Sequence, residues 1–596
     1  MRRHPLVIAS LALIASVLAA AAAGASPLAG APSAYVRAHA DSPVQWLTWG
    51  EAAWRQAQAQ NKPIYVVVGT FTHELARAMR EQSFAREENA TLLNEGFVCV
   101  VVDRDERPDL AAFLQAYVGT VKQMQGWPLN VWLTPELKPF EGATYLPPSD
   151  EWGKEGFPNA VRRVLTAWQT DPEAQRAKAD EALALLDAPV QGATPPVDAK
   201  ALRALITENL DGWMAAFDAE HGGFGDPPRR LEPELLRFLL QSDRPEARDA
   251  AVKTARSIVG SPLRDPLDGG FFRSAGDTAW QQPNLQKMLG DQARIALALG
   301  ASGDKGIQPA ATGALRYALS LGGAAVGFSA AEDGTPEAVL PRFFWTVGEL
   351  REALGTAGSD TVLSALGCTE AGNVPAEAYL GLDSAGRNLP RLAPTDTVPD
   401  DALARLRAAR AARGEPPRDS LATSAAHGLV LAALAGAEDA KLRERAAKLA
   451  EYIRSTLVLP DGRLRATPIT SAGAPARDYA LVAGGLLAHA TAGGGDAART
   501  TALALLAKAD ALFWDDAAGR YLASEPTLAT GVWARVPAPA PDAAEAFGAE
   551  TAMLHVLCTH GLGTDARRAA LAAAIAADLR DAPSIARGDQ LLALQA

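Results

Sequence analysis

One strand-to-helix turn carries the sharpest chemical expectation in the chain. Pro63 to Val68 is an apolar run of buried-strand type. Gly69-Thr70-Phe71-Thr72-His73-Glu74-Leu75-Ala76-Arg77-Ala78-Met79 leads from it into a helix that the spacing carries to Phe84. Two thiols separated by two residues at such a turn perform disulfide exchange, because a helix N-terminus lowers the pKa of the first and makes it a nucleophile. Here those two positions hold His73 and Ala76, which excludes dithiol chemistry at the turn. His73 alone would be a general base or a metal ligand. The positive helix end disfavours imidazolium, and no second His or Cys is near it in sequence, so it reads as a solvated turn residue. Glu74 suits the first helical turn and needs no function.

The elements that position this turn belong to a long chain. At 596 residues two or more domains are expected. A hydrophobic content of 48% and a charged content of 21% are those of a globular protein. The net charge of −12, with no basic stripe, argues against a nucleic-acid partner. Arg2 and Arg3, the apolar run Leu6 to Ala22, and Ala23-Gly24-Ala25 before Ser26 have the pattern of a cleaved signal over residues 1–25. An uncleaved anchor is the rival reading. The expectation is an exported protein, periplasmic or extracellular, with no membrane segment after cleavage. Cys99, Cys368 and Cys558 are scattered and sit in no motif. They permit at most one disulfide and show no zinc-type spacing, so no metal and no cofactor is expected. Cys99 lies in Phe97-Val98-Cys99-Val100-Val101-Val102 and reads as a core thiol.

From Ser33 to Ala188 strands alternate with helices. Helical spacing covers Glu51 to Gln60, Glu74 to Phe84, Glu87 to Leu93, Leu110 to Gln123 and the start of a closing helix at Asn159 to Trp168. Strands are expected at Ile64 to Val68, Phe97 to Val102 and Leu129 to Leu133, and a last one at Thr144 to Leu146, ended by Pro147-Pro148. This β-α-β-α-β-β-α order, with Trp127-Pro128 before the third strand, is a thioredoxin-like order. Pro128 then takes the place of the cis proline beside the turn. Asp103 to Arg107 read as a solvated loop with internal ion pairs, or as a domain contact. Residues 189–199, with Pro189 to Val197 rich in Pro and Gly, read as a linker. Residues 200–596 are helix after helix. Turns of one style recur at Phe217 to Gly225, Asp268 to Arg273, Val326 to Ala330 and Phe513 to Tyr521. One turn per helical hairpin, at about 50 residues, suits an α/α toroid, with a helical solenoid as the alternative.

These features resemble one family: bacterial relatives of the spermatogenesis-associated thioredoxin-domain protein. Ser42-Pro43-Val44-Gln45-Trp46 with Trp49-Gly50-Glu51-Ala52, Val102 to Asp109, Gly126-Trp127-Pro128-Leu129 and Leu133-Thr134-Pro135 carry the resemblance in the first half. Gly269 to Arg273, Asp277, Trp280, Pro283, Lys287-Met288-Leu289, Asp291 and Asp478-Tyr479-Ala480 carry it later. The resemblance implies a multidomain α/β plus all-α protein, a thioredoxin-like domain (33–188) followed by an (α/α)-toroid of six-hairpin-glycosidase and N-acylglucosamine-2-epimerase type (200–596). The chain departs from the family pattern at the Cys-x-x-Cys, and also at Phe272, Ser274, Asn284, Gln286, Gly290, Leu421 and Ala426, where proton donors and stacking surface are replaced.

On the resemblance, the ligand-binding candidates are Arg273, Asp277, Trp280, Lys287, Asp291, Glu332, Asp333, His427, Asp478 and Tyr479. Lys287 and Asp291 are four apart and are expected to share a helix face as a packing salt bridge, or to contact a ligand. Glu332 and Asp333 could serve as acid or base, although adjacent side chains point apart. His427, in the apolar stretch Ala422 to Ala435, reads as a core or lining histidine rather than a catalytic one. His555 and His560 read as caps. The expected function is a redox-inactive, catalytically degenerate protein that binds a saccharide or a protein partner. The alternatives are a carbohydrate epimerase or hydrolase with a rebuilt toroid site and, disfavoured by the missing Cys pair, a thiol-disulfide oxidoreductase.

Overall fold

The computed structural model describes residues 26–151, 153–186, 195–323, 327–332, 341–355, 358–375, 379, 384–470, 472–522, 547–581 and 587–596. The expected signal over 1–25, the linker residues 189–194 and Asp333 lie outside the described residues. The chain forms two compact units, and the main division in sequence falls after residue 188. No helix among the described residues is long and apolar enough to cross a membrane.

The first unit is a five-stranded mixed sheet with helices packed on it. Its elements are α1 (Ala34–Arg37), β1 (Trp46–Thr48), α2 (Glu51–Gln60), β2 (Ile64–Gly69), α3 (Glu74–Met79), α4 (Glu87–Gly96), β3 (Val98–Asp103), α5 (Pro108–Val121), β4 (Leu129–Leu133), β5 (Pro139–Ala143), α6 (Phe157–Thr170) and α7 (Pro172–Leu186). The sheet order is β1-β3-β2-β4-β5, with β1, β3 and β2 parallel and β4 and β5 antiparallel. The continuous apolar runs become the central strands, buried on both faces. Trp46, Tyr65, Phe84, Trp132 and Phe157 form one aromatic core. Tyr65 Oη donates to Asn130 Oδ1 at 2.5 Å, which satisfies two polar groups inside it.

Two expectations are corrected here. The last strand is Pro139–Ala143, not Thr144 to Leu146. Pro139 begins it, where no backbone donor is needed, and the register shifts between Trp132 and Leu133. The charged run after β3 is not wholly solvated. Asp103 is buried, and its carboxylate accepts Ser33 Oγ at 2.5 Å and the Asp105 N–H at 2.8 Å. Arg104 lies 5.0 Å over the Trp127 ring, and Arg107 pairs with Asp109 at 2.7 Å.

The second unit is a ring of helices. Its elements are α8 (Ala199–Ala215), α9 (Pro233–Leu240), α10 (Pro245–Gly260), α11 (Leu289–Ala301), α12 (Gln308–Ser320), α13 (Val347–Leu354), α14 (Ser359–Ala365), α15 (Asp400–Ala411), α16 (Ser424–Ala435), α17 (Ala440–Tyr452), α18 (Ala476–His489), α19 (Asp496–Phe513), α20 (Ala549–Thr559), α21 (Asp565–Asp581) and α22 (Gly588–Gln595). Helix α9 packs on α11, α11 on α16, α16 on α18, α18 on α20, α20 on α22, and α22 back on α9. That closed inner ring is wrapped by α10, α12, α17, α19 and α21, each packed on the inner helix before it, and by α8 on α22. The fold is an α/α toroid. A small separate cluster of α13, α14 and α15 is an addition to it.

The recurring turns have a common structural meaning. Each follows an outer helix and closes a tight antiparallel hairpin before the next inner element. The bridges are Phe217 to Phe224, Arg264 to Phe271, Gly322–Gly323 to Gly327–Phe328, Val458 to Leu464, and Trp514–Asp515 to Arg520–Tyr521. Helices α16 and α18 are rich in Ala and Gly, which lets them pack closely. The seam of α16 and α18 is the tightest: a Cβ on Gly485 would lie 2.3 Å from the Gly428 carbonyl oxygen, and one on Gly428 would lie 2.5 Å from that of Leu481.

Candidate functional site

In the first unit, β2 delivers the chain to the turn and α3 leaves it. His73 is the N-cap residue of α3, with extended backbone and no side-chain cap bond to the helix. Ala76 is buried. A Cβ on Gly69 would lie 2.6 Å from Tyr35 Oη and 3.2 Å from the Ala76 Cβ, so the space beneath the turn is filled. The Trp127–Pro128 peptide is cis. Since Val68 pairs with Leu129, Pro128 borders Gly69 at the turn. None of the three cysteines is in a disulfide. Burial pushes the Cys99 thiol well up, the Cys368 thiol up to about 12, and the Cys558 thiol upward as well. Each disfavours a thiolate.

In the second unit the inner helices begin at one end of the ring. A Cβ on Gly588 would lie 2.4 Å from the Leu235 nitrogen, so α22 and α9 start side by side. Thr551 Oγ donates to Asp589 at 3.2 Å, joining the starts of α20 and α22. The Ala425 N–H donates to Asp478 at 3.1 Å, joining those of α16 and α18. Strands Lys287–Met288 and Arg418–Asp419, just before α11 and α16, share a three-stranded sheet with Ala331–Glu332. Acidic residues occupy the first turn of five of the six inner helices: Glu234, Asp291, Asp478, Glu550 and Asp589. The positive helix ends favour them there.

Most of the charge at this mouth is neutralised internally. Arg294 grips Glu234 with two bonds, Nε to Oε1 at 2.9 Å and Nη2 to Oε2 at 2.5 Å, and reaches Asp291 with Nη1 at 3.0 Å. Burial opposes ionisation of Glu234, but Arg294 outweighs it and holds the carboxyl below its usual range. Arg587 pairs with Asp589 at 2.9 Å, although burial still raises that carboxyl. Glu232, the half-buried N-cap residue of α9, behaves differently. It makes no cap bond, and burial pushes its carboxyl up to about 7 against the pull of Arg294. Burial also raises the Glu550 carboxyl at the start of α20, so three carboxyls at this end, Glu232, Glu550 and Asp589, stand above their usual range.

A second buried network lies beside the first. Asp265 accepts Lys287 Nζ at 2.7 Å and Arg410 Nη1 at 2.5 Å, and Arg410 also reaches Asp268 at 3.0 Å. Lys287 is fully buried and its ammonium lies 4.5 to 5.1 Å from the Tyr317, Phe272 and Phe343 rings. Burial disfavours the Asp265 charge, yet the two cations hold its carboxyl well below the usual range. This corrects the expected Lys287–Asp291 pair. Lys287 precedes the helix, whose first residue is Leu289, and the two side chains enter different networks.

The other candidates divide among structural roles. Asp277 Oδ1 accepts the Gln281 and Gln282 N–H groups at 2.9 Å, which ties a turn. Trp280 has φ of 63° and is buried, donating Nε1 to the Gly222 carbonyl at 3.1 Å. Arg273 donates to Gln286 at 3.3 Å. Glu332 is on a short strand and accepts Arg418 at 3.1 Å. Tyr479 Oη accepts the Leu464 N–H at 2.8 Å inside the core. His427 is fully buried, with Nδ1 2.8 Å from the Thr423 carbonyl, and burial lowers its pKa to about 4. His555 is not a cap. It lies within α20, stacked on Phe547, with Arg237 at 3.5 Å. The structure thus brings Asp291 and Asp478 to the mouth, sets Lys287 and Glu332 on paired strands beside it, and places the other candidates apart. Glu232, Glu234, Arg294, Asp589, Asp265 and Arg410 were not singled out from sequence. The one available signal was the pattern Glu232-Pro233-Glu234 opening an apolar helix.

Comparisons with known proteins cover most of the chain. The Thioredox_DsbH family model, described as a protein of unknown function, DUF255, matches residues 25–187. Spermatogenesis-associated protein 20 of Rattus norvegicus is 31% identical over 604 residues, covering 90% of this chain and 76% of that protein. The Homo sapiens protein of the same name is 32% identical over 567 residues, covering 84% and 71%. Among solved structures, cellobiose 2-epimerase from Spirochaeta thermophila is similar with a TM-score of 0.39 and 15% identity, covering 63% of this chain and 86% of that one. A D-mannose isomerase is similar with a TM-score of 0.33 and 14% identity, covering 61% and 81%.

Proposed function

We propose, for a chain that belongs to the spermatogenesis-associated protein 20 family, a binding function without thiol chemistry. The thioredoxin-like domain is a structural or docking module, and the toroid binds a ligand or partner without rapid turnover. The observation that carries this reading is the state of the sulfur atoms. His73 and Ala76 occupy the turn, and burial raises all three thiols away from the thiolate form. The ion networks at the mouth support it, since Glu234, Arg294, Asp265, Lys287 and Arg410 are engaged with one another. We further propose that the protein is exported through the signal pattern in residues 1–25.

The test is insulin reduction under dithiothreitol with the purified protein. No turnover above the reagent background is expected. Turnover that survives repurification and vanishes with Cys99→Ser would sink the reading. A second reading, an enzyme acting on a saccharide, is favoured by one observation: Glu232 lines a cavity at the start of α9, where burial raises its carboxyl to about 7. Epimerase or hydrolase turnover on mono- or disaccharides that Glu232→Gln abolishes would replace the first reading with the second.

A further inference from the structure

The first hairpin of the toroid encloses a cavity of about 380 Å³ between α8, α9 and α10 and the loops at 223–232 and around Trp280. Its volume lies within the range of small-molecule sites, about 300–1,000 Å³. Trp213, Phe224, Trp280 and Ile258 supply an apolar wall, and Asp226, Arg230 and Glu232 stand among the lining polar residues. Trp213 and Phe224 are half-buried and meet edge to face at 5.7 Å.

The wall is built rather than incidental. Arg229, itself 5% exposed, donates Nε to the Gly225 carbonyl at 2.9 Å and Nη1 to that of Gly222 at 3.0 Å, and it pairs with Asp218 at 3.0 Å. It also donates to the Thr278 carbonyl, stapling the two loops together. Gly223 has φ of 99°, and a Cβ there would lie 2.5 Å from the Trp280 ring. The Gly223 N–H is fixed by Thr254 Oγ at 2.9 Å. By contrast, Asp226 and Arg230 are exposed and form no side-chain ion pair among the described residues.

We infer that this cavity is a binding site for a neutral hydroxylated ring, of the class of a mono- or disaccharide. The assignment rests on the reading that the toroid binds a ligand. An apolar aromatic wall suits the C–H face of such a ring, and a few polar groups suit its hydroxyls. Asp226 opposes an anion and Arg230 opposes a cation, so the rim selects for neither. Glu232 adds a carboxyl that both donates and accepts hydrogen bonds when protonated. The charges around it come from Glu234 on α9, Arg294 on α11, and Arg587 and Asp589 at the start of α22.

The experiment is saturation-transfer NMR on the full chain, with N-acetylglucosamine and cellobiose as neutral probes and choline and inorganic phosphate as charged ones. Binding of a neutral probe is expected, weakened about tenfold or more by Phe224→Ala and Trp213→Ala. Two variants at half-buried positions are used so that one misfolded protein does not decide the matter, and thermal melting identifies it. Sugar binding that both folded variants leave unchanged would place the ligand elsewhere in the toroid. That result overturns this assignment and leaves the binding function standing. Failure of both sugars to bind, or tighter binding of choline or phosphate, overturns the assignment too. Thiol turnover in the insulin assay would instead overturn the proposed function and leave the cavity result intact.

Discussion

The turn at His73 and the mouth of the toroid differ in how their polar and charged groups are disposed. At the turn the atoms themselves are missing. Ala76 is buried, and the space beneath is occupied by Tyr35 and Gly69. At the mouth the charged groups are present in number, but they are engaged: Glu234 with Arg294, and Asp265 with Lys287 and Arg410. A reactive group can be absent from a place in the fold, or present and held by an internal partner. The two cases leave opposite energetic signatures. At the turn only a larger side chain at Ala76 is costly, because it would overpack, whereas at the mouth removing one partner strands a buried charge.

The largest expected effect is therefore at the second network. Asp265→Ala leaves Lys287 and Arg410 with only the more distant Asp268, at 3.8 and 3.0 Å. The loss should be about 3–5 kcal/mol, read as a lower urea midpoint. An unchanged midpoint would break the contrast drawn above. The sign with pH follows from the depressed Asp265 carboxyl. Its stabilisation is complete above the unfolded value near 3.9 and is lost as pH falls below it.

Next comes a pH effect shared by both units. His39 in the first and His427 in the second are buried, and burial lowers each pKa to about 4. Arg80 lowers His39 further. The unfolded chain takes up these protons near pH 6.5 while the folded protein does not, so stability falls as pH drops from about 6.5 to about 4. Each histidine contributes at most about 3 kcal/mol of that loss. Thermal melts at pH 7 and pH 5 should show it, and His427→Leu should flatten the dependence. A profile identical to wild type would remove His427 from the account.

A smaller effect of opposite sign belongs to Glu232. Its folded carboxyl is raised to about 7, so ionisation destabilises the fold as pH rises from about 4.5 through that value. Glu232→Gln should gain about 1 kcal/mol at pH 8, discounted because the group is half-exposed, and nothing at pH 5. Equal midpoints at both pH values would count against it. The smallest effect is at the turn itself. His73 makes no cap bond to α3, so His73→Ala should shift stability by less than about 0.5 kcal/mol.

The fold was legible where the pattern is local. The runs at 64–68, 97–102 and 129–133 announce central strands because both faces are apolar. The recurring turns announce hairpins because each closes within a few residues. β1, only three residues long, left no period to read. The charge networks were not legible, because they depend on ring closure. Asp265 meets Lys287 across 22 residues and Arg410 across 145. Glu234 and Asp589 lie near opposite ends of the toroid sequence and become neighbours because α22 returns to α9. Asp291 was found as a residue but given the wrong partner, since the helix begins two positions after Lys287.

The seam between α16 and α18 sets how a library of random variants would sort. Elsewhere in the inner ring, volume-conserving apolar swaps should cost less than about 1.5 kcal/mol. At Gly428 and Gly485 the opposing surface is peptide backbone, which cannot rotate aside as a side chain can. Under selection for folded protein alone, with no demand for binding, those two codons should stay glycine while that for His73 drifts. Sequencing the survivors would separate the positions that hold the ring shut from those that the fold leaves open.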